Sequence, residues 1–123
     1  MADATAKSDV QRANDRFYDA VRTGHFAQLD ALWSRERPVS VKHPGWPLQR
    51  GRDNVMASWA EIFVAGNAPD VWPLDEVIIM SDRTAMVYCT EVLGNAMISA
   101  TNVFVWETGD WRLTQHITMT ASE

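Results

Sequence analysis

Glu91 lies inside the apolar-rich run TAMVYCTEVL (residues 84–93), and His43 stands in the phrase VKHPGW (residues 41–46). Both residue types move protons near neutral pH when their surroundings favour it. A carboxyl removed from water holds its proton to higher pH, because burial penalises the charged form, so Glu91 facing a dry interior would act as a general base or acid. The same residue lies two positions before Leu93 and the Gly94-Asn95 turn, where it would be solvated. An imidazole titrates near neutrality. Pro44 pushes His43 into extended backbone and Gly45 permits a sharp turn, so His43 either meets a ligand or braces the turn through a backbone carbonyl. Glu91 and His43 are the candidate catalytic residues.

Candidate ligand contacts surround them. Trp46 and Trp59, two of six tryptophans, would meet if the turn folds back onto the helix after it, and would form an apolar wall. Ordinary core packing is the other reading of Trp59. At the end of the chain, Thr108-Gly109 reads as a two-residue turn joining Glu107 to Asp110. Regular pairing then sets Trp106 against Trp111, Phe104 against Leu113 and Asn102 against Gln115, with His116 on the opposite face beside Thr101. Asn102, Phe104 and Gln115 would form an enclosed surface with polar handles. A bulge would bring His116 there instead, so His116 stands beside them as a candidate. Arg50 and Arg52 flank Gly51 at a helix start and could hold a carboxylate, although nearby Asp53 and Glu61 favour an exposed ion-paired helix start. Histidines 25, 43 and 116 lack metal-ligand spacing, and no metal or other cofactor is expected. The single cysteine, Cys89, allows no intramolecular disulfide.

The elements that must position these groups are legible. Val10, Ala13, Phe17, Ala20 and Val21 mark one stripe of a helix over 8–23, with Ser8 as N-cap and Gly24 as its stop. A shorter helix runs from about His25 to Trp33. A segment with three prolines follows, in which Val39, Val41 and His43 alternate as a short strand. Val55, Met56, Trp59, Ile62 and Phe63 give a third helix from Arg52 to about Ala65. Strands follow over PLDEVIIM (residues 73–80), 84–93, 97–107 and 111–120. Their connections are too short for parallel crossovers, so these strands form one antiparallel sheet. Several are apolar on both sides, which predicts cover on both faces: helices on one, a second copy of the chain on the other. The expected fold is therefore α+β, three helices from the first half packed on a strongly curved antiparallel sheet. All of 1–123 form one domain, with 1–7 expected to be flexible.

Composition narrows the function. The chain has 46% hydrophobic and 22% charged residues and a formal net charge of -5, with Lys and Arg scattered among carboxylates. Nothing resembles a phosphate-binding stripe, so nucleic acid is not an expected partner. No run of about 18 apolar residues is present, no membrane association is expected, and the protein reads as cytoplasmic.

HPGWPLQRGRDNVMASW (residues 43–59) followed by ATNVFVWETGDWRLTQH (residues 100–116) resembles the SnoaL-like branch of the nuclear transport factor 2-like superfamily, over roughly Ser8 to Thr118. The resemblance implies a cone-shaped α+β fold whose cavity takes a small apolar or cyclic ligand, and a homodimer formed through the outer sheet face. Superfamily members include ketosteroid isomerase, scytalone dehydratase, limonene epoxide hydrolase and polyketide cyclases. They also include non-catalytic modules such as the association domain of calcium/calmodulin-dependent protein kinase II. The implied function is small-molecule binding, with isomerase, dehydratase or cyclase chemistry or, alternatively, a non-catalytic association role. Where the branch often carries consecutive histidines in its last strand, this chain has Gln115, His116, Ile117.

Overall fold

The stripe Val10, Ala13, Phe17, Ala20 and Val21 is buried along α1 (Asp3–Thr23) in the computed structural model, which describes residues 3–123. The helix starts ahead of Ser8 because Ala4, Ala6 and Lys7 are strong helix formers, so Ser8 lies within it and caps nothing. The flexibility expected of 1–7 thus falls partly on the first turns of α1 and partly on residues 1 and 2, which lie outside the described residues. Gly24 ends the helix at φ 64°, its N–H and that of His25 closing on the carbonyls of Val21 and Ala20. His25 then caps α2 (Phe26–Leu32), its Nδ1 accepting from the Gln28 N–H at 3.0 Å.

The chain continues through β1 (Ser40–Lys42), β2 (Gln49–Arg50), α3 (Arg52–Phe63) and a 3-10 turn at Val64–Gly66 into four long strands. These are β3 (Val71–Ser81), β4 (Thr84–Leu93), β5 (Ala96–Glu107) and β6 (Asp110–Met119). The six strands form one sheet in the order β2-β1-β6-β5-β4-β3. The four long strands pair antiparallel in chain order, as expected, and the short β1 runs parallel to β6, which the long chain excursion between them permits.

Arg52 is neither an anion site nor an exposed ion pair. Its guanidinium donates to the carbonyls of Asp30, Trp33 and Ser34 at 2.7–3.0 Å and to the Asp30 carboxylate at 2.8 Å, tying the start of α3 to the end of α2. Glu107 anchors the segment that follows α2. It accepts from the Ser34 hydroxyl and from the Arg35 N–H at 3.0 Å; burial pushes its carboxyl up, and these donors outweigh that and leave it below the usual range.

Two bulges decide what faces inward. Between Leu74 and Val77 one extra residue enters β3, with Asp75 at φ 56°. Between β5 and β6 the register shifts after Phe104–Leu113, so Asn102 pairs with His116 and Val103 with Gln115. The regular register expected from the Thr108-Gly109 turn therefore holds only to Phe104, and the extra residue is Thr114, whose hydroxyl donates to the Val103 carbonyl at 3.1 Å. Asn102 and His116 share the helix-covered face, both buried. On the other face Val77, Ile79, Tyr88, Met97 and Met119 are exposed. No helix among the described residues is long and apolar enough to cross a membrane.

Candidate functional site

A cavity of about 180 Å³ opens between the helices and the sheet. Phe17, Tyr18 and Val21 of α1 form one side, and Trp59 and Ile62 of α3 another. The turn after β1 supplies His43, Pro44 and Trp46, and the sheet floor supplies Glu91, Leu93 and His116. Apolar surface dominates, with a few convergent polar groups, as small-molecule sites are built.

Alternation along β4 explains Glu91. Val87, Cys89 and Glu91 fall on one face and are all buried, Glu91 at 4% exposure, whereas Tyr88 is exposed on the other. The solvated placement that the nearby turn suggested does not occur, because β4 stays paired with β3 and β5 through Leu93. The Tyr18 hydroxyl donates to Glu91 Oε2 at 2.7 Å, and His116 Nε2 lies 3.6 Å from the same oxygen, beyond hydrogen-bond range. Glu91 Oε1 has no protein donor among the described residues.

Behind this first row stands a set of amides. His116 Nδ1 lies 2.6 Å from Asn102 Oδ1, and Asn102 Nδ2 donates to Tyr18 Oη at 3.1 Å and to Asn14 Oδ1 at 2.9 Å. Because Asn102 presents a carbonyl oxygen, His116 must present Nδ1–H, leaving the lone pair on Nε2, the nitrogen toward Glu91. Across the cavity His43 Nε2 lies 2.9 Å from Ser58 Oγ, and Ser58 donates to the Val55 carbonyl at 2.7 Å. Ser58 therefore accepts, and His43 carries its proton on Nε2. The backbone brace expected of His43 is instead a side-chain one. Trp46 and Trp59 both line the cavity, and each meets the His43 ring edge-on, at 5.0 and 4.4 Å between centroids.

Burial sets the charges. It raises the Glu91 carboxyl to about 7, with the Tyr18 hydrogen bond pulling the other way. Burial lowers His43 to about 4, and burial together with the neighbouring His43 lowers His116 to about 3. Desolvation raises the Tyr18 phenol well above its ordinary value and the Cys89 thiol to about 11. Near pH 7, then, Glu91 is the one group of this set that exchanges a proton, surrounded by neutral donors and acceptors.

Of the sequence candidates, Glu91, His43, Trp46, Trp59 and His116 line the cavity. Asn102 is fully buried one layer behind, and Phe104 is fully buried in the core. Gln115 is exposed on the outer face of β6, a correction that follows from the bulge at Thr114. Sequence reasoning missed Tyr18, Asn14 and Ser58. Their signal was present: Asn14 and Tyr18 sit at four-residue spacing on the apolar stripe of α1, and Ser58 on that of α3, where a polar residue needs a buried partner.

Residues 10–121 match the family model described as SnoaL-like domain. No protein of curated function matches the chain. Among solved structures, a protein from Streptomyces avermitilis, provisionally named a dehydratase of the nuclear transport factor 2-like family, is 30% identical with a TM-score of 0.89; the match covers 98% of this chain and 99% of that one. A protein from Thiobacillus denitrificans, provisionally named a calcium/calmodulin-dependent protein kinase type II association domain, is 26% identical with a TM-score of 0.74, over 89% and 93% of the two chains. A cystatin-like-fold protein from Caulobacter vibrioides shares the fold at 14% identity and a TM-score of 0.78, over 93% and 88%.

Proposed function

This chain belongs to the SnoaL-like domain family, and on that footing we propose that it is an acid–base enzyme for a small, mostly apolar carbonyl compound, with Glu91 moving the proton. The observation that carries the reading is a carboxyl 4% exposed, held near neutrality by desolvation, on the wall of an apolar cavity. Ionised Glu91 removes a proton from the carbon next to the carbonyl, and the electron pair moves to the carbonyl oxygen. The Tyr18 hydroxyl, released as Glu91 becomes neutral, then donates to that oxygen. In a β,γ-unsaturated ketone, return of the proton to the γ-carbon completes an isomerisation, the double bond moving into conjugation as the carbonyl re-forms. In a β-hydroxy ketone, its transfer to the β-hydroxyl breaks the Cβ–O bond and expels water, as the provisional name of the Streptomyces avermitilis neighbour suggests for that protein.

Cavity size sets the ligand. A dry cavity of roughly 150 Å³ admits benzene, so a volume of about 180 Å³ suits one ring with short substituents, and a fused polycycle would not fit wholly within it. The experiment uses monocyclic ketones in heavy water, with α-proton exchange followed by NMR and binding by tryptophan fluorescence. Exchange above the buffer rate, saturable in ketone and absent for steroid-sized ketones, is expected. Trp46→Ala, at the half-buried mouth, should weaken binding about five- to tenfold without unfolding the chain. No exchange and no saturable quenching with any monocyclic ketone would overturn the proposal and favour the association-module reading, which the Thiobacillus denitrificans neighbour's name supports.

The outer sheet face is proposed to cover a second copy of this chain. Val77 and Ile79 of β3 lie beside Tyr88 and Met86 of β4, and Met97 and Met119 extend the patch across β5 and β6. These residues carry no charge, so two copies meet without like-charge repulsion. Ile79→Glu should convert a dimer into a folded monomer by sedimentation; a wild-type monomer at micromolar concentration would refute the interface.

A further inference from the structure

We infer that Glu76, on the α1-facing side of the β3 bulge and outside the cavity lining, is a positioning residue that sets the tautomer of His116 through two buried amides. The bulge between Leu74 and Val77 places two residues, Asp75 and Glu76, opposite the single residue Cys89, and Glu76 meets α1. There its Oε2 accepts from Asn14 Nδ2 at 2.6 Å and from Gln11 Nε2 at 3.0 Å.

A carboxylate only accepts, so Asn14 must turn its NH2 toward Glu76 and its carbonyl oxygen toward Asn102. Asn102 must then offer its own NH2 to Asn14 and Tyr18 and its carbonyl to His116. Facing a carbonyl, His116 holds its proton on Nδ1. Each amide can be rotated by half a turn with little change of shape, and nothing but the polarity of the partners chooses between the two orientations. Asn14 and Asn102 are fully buried, so water cannot supply the alternative partners. The choice made at Glu76 therefore propagates inward and leaves the Nε2 lone pair on the side of Glu91 and the cavity. The functional consequence rests on the proposed acid–base role of Glu91; the tautomer itself does not.

The imidazole nitrogen chemical shifts of ligand-free protein report this directly, with the three histidines distinguished by His→Gln variants. Wild-type His116 should show a protonated Nδ1 and a bare Nε2. Glu76→Gln, which can still turn a carbonyl oxygen to Asn14, should keep that pattern. Glu76→Lys offers only donors, and should raise the share of the Nε2–H form about tenfold or more. Should the lysine variant fail to fold, Glu76→Ala, which removes the acceptor alone, is expected to give a mixture of both tautomers. A wild-type Nε2–H tautomer, or a His116 spectrum unchanged in a folded Glu76→Lys or Glu76→Ala protein, would overturn the inference. Because no ketone or turnover enters the measurement, its failure is separable from failure of the proposed reaction, which Glu91→Gln tests.

Discussion

Glu91→Gln is expected to slow proton transfer by about 10²–10⁴-fold while making the folded chain more stable at alkaline pH. The stability half follows from linkage. The Glu91 carboxyl is raised from 4.5 to about 7 on folding, so the fold favours its neutral form. Its favourable contribution is complete below pH 4.5 and is lost as pH rises through 7, where the ionised group costs the fold about 3 kcal/mol. Glutamine has the same shape, is neutral throughout and can still accept from the Tyr18 hydroxyl. The variant should match wild type near pH 4.5 and exceed it increasingly toward pH 8, as measured by urea unfolding at both pH values. A gain that does not depend on pH would show that desolvation of Glu91 is not what the substitution relieves. Loss of activity together with a gain of stability at one residue distinguishes a group kept for chemistry from one kept for packing.

On the acid side the two buried imidazoles dominate. His43 and His116 are lowered from 6.5 to about 4 and about 3, so folding favours their neutral forms. Their contribution is present above pH 6.5 and is lost as pH falls through 4 and then 3, at about 3 to 5 kcal/mol each. Glu91 cannot rescue the charged His116 as an ion partner, although its carboxyl lies 3.6 Å away, because below pH 7 it is already taking up its own proton. Wild-type stability should therefore fall steeply between pH 6 and 4, and His116→Gln should flatten that limb. Imidazole C–H signals of His43 or His116 titrating near pH 6.5 would contradict this account.

Hydrophobic period and turn chemistry made the helices, the four long strands and the family phrase readable, because each is written in contiguous residues. Glu91 was readable as a candidate but not as a buried one, since its depth depends on β4 remaining paired past it to Leu93. The partners of Glu91 were harder for a physical reason. Tyr18 and Asn14 become site residues only when α1 lies across the sheet, a relation between residues 73 and 88 positions apart. Whether Gln115 or His116 shares the face of Asn102 was not legible, because Thr114 enters β6 as an extra residue and nothing in the composition of RLTQH marks a bulge. The same bulge is what delivers His116 to the cavity beside Asn102.

Following the carboxyl-carbon NMR signal of Glu91 from pH 4 to 9, assigned by its disappearance in Glu91→Gln, tests the central claim without any ligand. A single titration with its midpoint at about 7 is expected, while both buried imidazoles stay neutral over the upper part of that range. A midpoint at the ordinary carboxyl value of 4.5 would contradict the account, since Glu91 would then be a solvated side chain with no advantage as a proton carrier.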